Sequence, residues 1–155
     1  MVFKQHLKAI EAALPELVQE LTVEARLFFD SSWTNKGFTD STLTAWKPVK
    51  DKKGNIKARP LVESGALRRS LRTEVNGSTG VVYTEIPYAQ IHNEGGTLKY
   101  TANVRAHTRK GKPVAAHTRN VNHDMPQRQY MGTSKVLEDR MTEIITARLK
   151  KILGS

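Results

Sequence analysis

The sequence predicts an α+β fold: a small antiparallel or mixed sheet packed by an N-terminal and a C-terminal amphipathic helix, with a long loop and a projecting β-hairpin. Three observations lead there. Phe3, Leu7, Ile10, Leu14, Leu17, Leu21, Ala25 and Phe28 recur at spacings of four and three, which places them on one stripe of a helix. A second stripe, Leu137, Met141, Ile144, Ile145, Leu149 and Ile152, lies near the end of the chain. Between the two, short runs of β-branched and aromatic residues are separated by Asn-Gly and Lys-Gly pairs, the punctuation of tight hairpins.

The first helix region is assigned to residues 1-29. Its apolar face is expected to pack on the sheet of its own domain. Pro15 falls inside the stripe and removes a backbone donor, so a kink or a restart is expected there. From Asp30 the periodicity disappears and Ser, Thr, Asn, Gly, Lys and Pro dominate. Residues 30-60 therefore read as an extended loop, anchored by Trp33, Phe38 and Trp46, with a turn at 51 to 55. A loop of this length in a small domain implies a function or an ordering partner.

A helix and sheet core is assigned to 61-97. In "LVESGALRRSL", Ser64 can cap a short helix whose Leu67 and Leu71 face inward together. Asn76-Gly77 marks a turn between two strands, the second built on Val81, Val82 and Tyr83. Pro87 opens one or two helical turns that Gly95-Gly96 end. Residues 98-121 read as a β-hairpin arm turning at Lys110-Gly111, since Thr101, Val104, Thr108, Val114, Thr118 and Val121 favour extended backbone. The C-terminal helix is assigned to 133-153, capped by Thr133 or Ser134, with Lys150 and Lys151 at the negative pole of its dipole.

The chain of 155 residues is long enough for one domain with a modest core. It carries 25 Lys and Arg against 15 Asp and Glu. The excess sits centrally: residues 1–45 balance to −2, from four basic and six acidic residues, whereas residues 46–132 balance to +10, from sixteen and six. Such a field attracts a polyanion or an acidic protein surface. There is no cysteine, which removes disulfides and thiolate metal sites and suits a reducing cytoplasm. No apolar run has the length a bilayer requires, and the first residues lack a signal-peptide core, so a soluble protein without a membrane partner is expected.

The tetrapeptide Ala-His-Thr-Arg occurs twice, at 106–109 and 116–119. A two- or four-residue loop centred on Lys110-Gly111 pairs His107 with Val114 and His117 with Val104, placing the histidines on opposite faces. Only an odd loop would bring them onto one face, about 7 to 8 Å apart, and further ligands would then have to come from His123 and Asp124. No metal site and no cofactor are expected. Catalytic signatures are also missing: no Gly-x-Ser-x-Gly elbow, no His-Glu-x-x-His helix, no phosphate-cradling loop. A hydrolase using His92, His123 or Asp124 is one alternative reading. Nonspecific DNA binding through Arg105, Arg109, Lys110, Lys112 and Arg119 is another, without aromatic residues on the hairpin for stacking on bases.

Four blocks stand in a fixed order: "AWKPV" (45–49, with Trp46 and Pro48), "LVESGALRRSL" (61–71, with Ser64, Gly65 and Leu67), "IPYAQIHNEGG" (86–96) and "MPQRQYMGTS" (125–134). This order resembles the phage virion morphogenesis family, the tail-completion and head-tail joining proteins of tailed bacteriophages, including Mu-like and P2-like phages. Where that family commonly has Pro-Ala-Arg-Pro-Phe, this chain has Pro126-Gln127-Arg128-Gln129-Tyr130, keeping the first Pro, the Arg and an aromatic. The resemblance implies one tail-completion or connector domain over 1-155 and a structural, non-enzymatic virion protein. It further implies one of about six subunits in a ring at the head-tail interface, assembled in the host bacterial cytoplasm, beside neck, connector and tail-tube proteins, with DNA passing through the lumen. On that view Tyr88, Ile91, His92, Gly95, Gly96, Pro126 and Tyr130 are packing and turn residues. Arg105, His107, Arg109, Lys110, Lys112, His117, Arg119 and Arg128 then face a neighbouring subunit or the lumen, with Arg128 suited to pair a neighbouring carboxylate bidentately.

Overall fold

The computed structural model describes residues 2–50, 55–57, 61 and 64–154. Its element order is α1 (Val2–Asn35), β1 (Gly37–Thr39), β2 (Leu43–Ala45), β3 (Val49–Lys50), β4 (Ile56–Lys57), α2 (Ala66–Arg69), β5 (Arg72–Asn76), β6 (Thr79–Tyr83), α3 (Ala89–Glu94), β7 (Gly96–Val104), β8 (His107–Arg109), β9 (Lys112–Val114), β10 (His117–Met125) and α4 (Lys135–Leu153). The fold is α+β. Among the described residues the strands pair as two-stranded antiparallel ribbons, so the small antiparallel sheet is divided into hairpins.

The two terminal helices carry the frame. Helix α1 continues through Pro15 without interruption. The carbonyl that proline leaves unpaired, at Glu11, lies on an exposed stretch where water can satisfy it. Only from Leu17 onward does the helix bury its stripe. Phe3 is 73% exposed, and Leu7 and Leu14 are also exposed, so the expectation that the whole face packs on its own domain fails for the first four turns.

The helix also runs to Asn35, well past the Asp30 at which a loop is expected from the sequence. The reason is that the inward positions of the added turns are Ser32 and Trp33 rather than two aliphatics. Ser32 is buried, and its hydroxyl donates to the Tyr130 carbonyl at 3.1 Å. Lys36, with φ 54°, ends the helix, and its carbonyl accepts the Trp46 amide at 2.8 Å. This closes the β1–β2 hairpin, so residues 37–45 are a paired ribbon and not an open loop. The turn expected at 51–55 falls mostly on 51–54, outside the described residues.

Helix α4 lies antiparallel to α1: Arg148 reaches Glu16 at 3.0 Å, Arg140 reaches Glu24 at 3.4 Å, and Leu137 packs with Ala25, Phe28 and Phe38. Ser134 caps α4, accepting from the Leu137 amide at 3.2 Å while donating to the Thr39 carbonyl at 2.8 Å. The β1–β2 turn thereby fixes the start of the last helix. A second cluster joins Trp33, Trp46, Leu67, Leu71, Ala89 and Tyr130, with Phe29 packed against both clusters. Ser64 accepts from the Ala66 amide at 3.3 Å, one residue ahead of Gly65, which holds the N-cap position of α2 in the left-handed conformation. Arg68 of α2 binds both carboxylate oxygens of Asp30, at 2.7 and 2.6 Å, tying this short helix to α1. The β5–β6 turn is Gly77-Ser78, one position later than the Asn76-Gly77 of the sequence reading, because Asn76 pairs with Thr79. Gly80 of β6 lies directly on α1: a Cβ there would collide with the Thr22 hydroxyl.

Candidate functional site: a projecting arm and its root

The hairpin is longer than the 98–121 that the sequence marks out. Pairing runs from Gly96↔Met125 to His117↔Val104, and resumes from His107↔Val114 to Arg109↔Lys112 in the same register. Fourteen residues per strand at about 3.3 Å each give an arm of roughly 45 Å. Its tip is the two-residue loop Lys110-Gly111, with φ 52° and 76°, the positive pair that a type I′ turn demands and that matches the twist of flanking strands.

Alternation along β7 and β10 sorts the arm into two unlike faces. One carries Leu98, Tyr100, Ala102 and Val104 from β7 with Val121 and Met125 from β10, interspersed with His117, Arg119 and His123. The other is wholly polar: Thr97, Lys99, Thr101 and Asn103 opposite Asp124, Asn122, Asn120 and Thr118. Cross-strand hydrogen bonds on that polar face, Thr97 to Asp124 at 2.7 Å and Thr101 to Asn120 at 3.1 Å, mark it as finished against water. The apolar face is not finished. Tyr100 is 56% exposed and Leu98 37%.

The doubled Ala-His-Thr-Arg has a local cause. Ladder pairing lapses at Arg105-Ala106 on one strand and at Ala115-Ala116 directly opposite. Each histidine is the first residue after its gap. The His107 Nδ1 lies 3.0 Å from the Arg105 carbonyl, and the His117 Nδ1 lies 3.0 Å from the Ala115 carbonyl. A carbonyl only accepts, so each Nδ1 carries a proton and donates it. The two rings thus make the same bond on the two strands of one interruption, each turned back on its own strand. Among the described residues no cluster of three or more ligating side chains occurs.

At the root of the arm, two of the blocks that carry the family resemblance meet. Helix α3 stops at Gly95, whose φ of 74° and ψ of −173° belong to glycine alone, and a Cβ there would stand 2.8 Å from the Gln127 amide nitrogen. The two chain ends of the arm therefore cross in contact. The Arg128 amide donates to the His92 carbonyl at 2.8 Å. The Asn93 side-chain oxygen accepts from both the Tyr130 and the Met131 amides, at 2.9 and 3.1 Å. Asn93 escapes a sequence reading because its two partners lie almost forty residues away. An asparagine in the last turn of a short helix before Gly-Gly is the only local signal.

Arg128 corrects an expectation. It is buried, and its Nε donates to the Lys47 carbonyl at 3.3 Å, so it belongs to the interior beneath the root rather than to a subunit interface or lumen. Its position between Pro126 and Tyr130, which is fully buried, draws it inward. Arg105, Arg109, Lys110, Lys112 and Arg119, with His107 and His117, all lie exposed on the arm. Trp46, Leu67 and Tyr130 are core residues, while Tyr88 is exposed and stacks edge-on against His92 at 5.6 Å. The hydrolase candidates are dispersed: His92 is at the root, and His123 and Asp124 are on opposite faces of the ribbon.

Burial, then the Arg128 charge, pushes His92 below its ordinary value, and its Nδ1 is buried without a partner among the described residues. A depressed histidine contributes stability that is present above the unfolded value of 6.5 and falls away as pH drops below it. Thermal unfolding between pH 7 and pH 5 is expected to show a falling midpoint, with a shallower slope for His92→Asn.

Residues 36–150, about three quarters of the chain, match the model of the phage virion morphogenesis family. The chain belongs to that family. The matched stretch starts just beyond α1 and takes in the root, the whole arm and nearly all of α4. Membership gives the protein a structural role in building a phage virion and associates it with the particle. No curated protein and no solved structure matches the chain.

Proposed function

We propose that this member of the phage virion morphogenesis family is a non-enzymatic ring subunit at the head-tail interface, acting as tail terminator, tail completion or neck protein, and needed to join tail to head. The observation that carries this reading is the arm: a long ribbon within the family-matched stretch, finished on one face and apolar on the other. An isolated two-stranded ribbon is marginal in water, so a surface of this kind serves an assembly. The copies number about six, as the family resemblance implies. Neck, connector and tail-tube proteins lie above and below. The basic residues of the arm tip also suit brief, nonspecific contact with DNA in the lumen.

The test is to purify the full chain, measure its mass and image it. Closed rings, together with separated full heads and tails from a phage lacking the protein, are the expected result. A monomer that binds duplex DNA with strong salt dependence and never closes would overturn the proposal in favour of a free DNA-binding protein.

A further inference from the structure

Resting on the ring reading, the inference concerns what covers the apolar face of the arm. We infer that Leu98, Tyr100, Val121 and their neighbours seat in the groove between α1 and α4 of an adjacent copy, with Arg119 of the same face against the acidic rim of that groove. The groove is lined by Glu16, Glu20, Glu24, Val23, Leu27 and Arg148. Val23 is 36% exposed and Leu27 49%, large apolar side chains left at the surface between two helices. Apolar surface of this kind rimmed by charge marks an interaction site.

Charge selects the partner. The arm from Gly96 to Met125 carries Lys99, Arg105, Arg109, Lys110, Lys112 and Arg119 against Asp124 alone, and of the paired shaft's charges Arg119 lies on the apolar face while Lys99 and Asp124 lie on the polar one. The lining of the groove has the opposite balance: Glu16, Glu20 and Glu24 against Arg148. Arg148 offsets part of the rim through Glu16 and Glu20, at 3.0 and 3.6 Å, and Arg140 through Glu24, at 3.4 Å, but Glu16 stays mostly exposed. Two arms laid face to face would bring like charges together, which costs energy. An arm against the groove brings unlike charges together.

Geometry sets the consequence. The donating and receiving surfaces are different patches of one chain, so the contact is heterologous and propagates from copy to copy until it closes. One face of two strands about 30 Å long and about 10 Å wide offers on the order of 300 Å², well short of the roughly 800 Å² per partner of a stable pair. A pair held by one arm is therefore weak, whereas in a closed ring every copy both gives and receives an arm.

Because the chain has no cysteine, introduced thiols are unique. Full-length Tyr100→Cys is mixed with full-length Leu27→Cys under mild oxidation, and disulfide-linked heterodimers are quantified. The control replaces Tyr100→Cys by Lys99→Cys, one residue away on the polar face. Heterodimer yield about tenfold or more above the control is expected, because docking raises the local thiol concentration. Equal yields from the two mixtures would overturn the inference, as would Tyr100→Cys linking chiefly to itself. Rings formed by the unmodified chain without the Tyr100–Leu27 linkage would sink the docking and spare the ring. The linkage without any ring would do the reverse.

Discussion

Replacing residues 98–123 by Asn-Gly, which removes Leu98, Tyr100 and Val121 with the rest of the arm, is expected to leave a folded monomer that no longer assembles. The cut is placed by register. Thr97 pairs with Asp124 in the register of Arg109 and Lys112, which flank the native turn, so a two-residue I′ turn between them closes the shortened ribbon without shifting a side chain to the wrong face. Everything removed is exposed or half-buried, and the buried clusters of Trp33, Trp46, Tyr130 and Phe28, Phe38, Leu137 lie wholly outside it. The melting midpoint should therefore stay within a few degrees of the parent, while mass measurement under ring-forming conditions finds only monomer. Loss of the fold would show that the arm belongs to the core. Rings of normal size would show that it is no interface.

Tyr130→Ala is expected to have the largest effect on stability. The residue is fully buried, its ring centroid lies 4.9 Å from that of Trp33, and its backbone is held by Asn93 and Ser32. Truncating a large buried aromatic costs about 3 to 5 kcal/mol through lost transfer energy and the cavity left behind. In a chain of this size that lowers the midpoint by roughly 10 °C. Tyr130→Phe separates the ring from its hydroxyl, which donates to the Ala89 carbonyl at a long 3.4 Å, so it should cost about 1 kcal/mol or less. Burial pushes the phenol up to about 12. A raised value means stability is whole below the ordinary 10.0 and is lost as pH climbs from there toward about 12. The alkaline limb of the stability profile should flatten in Tyr130→Phe.

What the sequence reveals and what it hides follow from the range of the interactions. Helix α4 is legible because its cap, its stripe and its closing lysines are all local. The arm is legible for the same reason: Lys110-Gly111 sets the turn, and the turn sets every pair as far as Gly96↔Met125. The last turns of α1 are hidden because an inward position is Ser32, satisfied by a carbonyl 98 residues away. The root is hidden likewise, since Asn93, Gly95 and Arg128 acquire meaning only when 126–131 returns beside α3. The first four turns of α1 mislead in the opposite sense. Their stripe is regular, yet Phe3 and Leu7 stay exposed, with nothing among the described residues to bury them.

The lapse in pairing at Arg105-Ala106 and Ala115-Ala116 divides the arm mechanically. A ribbon resists flexing through its rungs, and here two successive rungs are absent at one height in both strands. Below that height the shaft is paired without interruption down to the root. Above it, the charged tip is carried on a wrist. In the ring proposed above, such a wrist would let the tips meet a neighbour of different diameter or symmetry with no strain passed to the bodies.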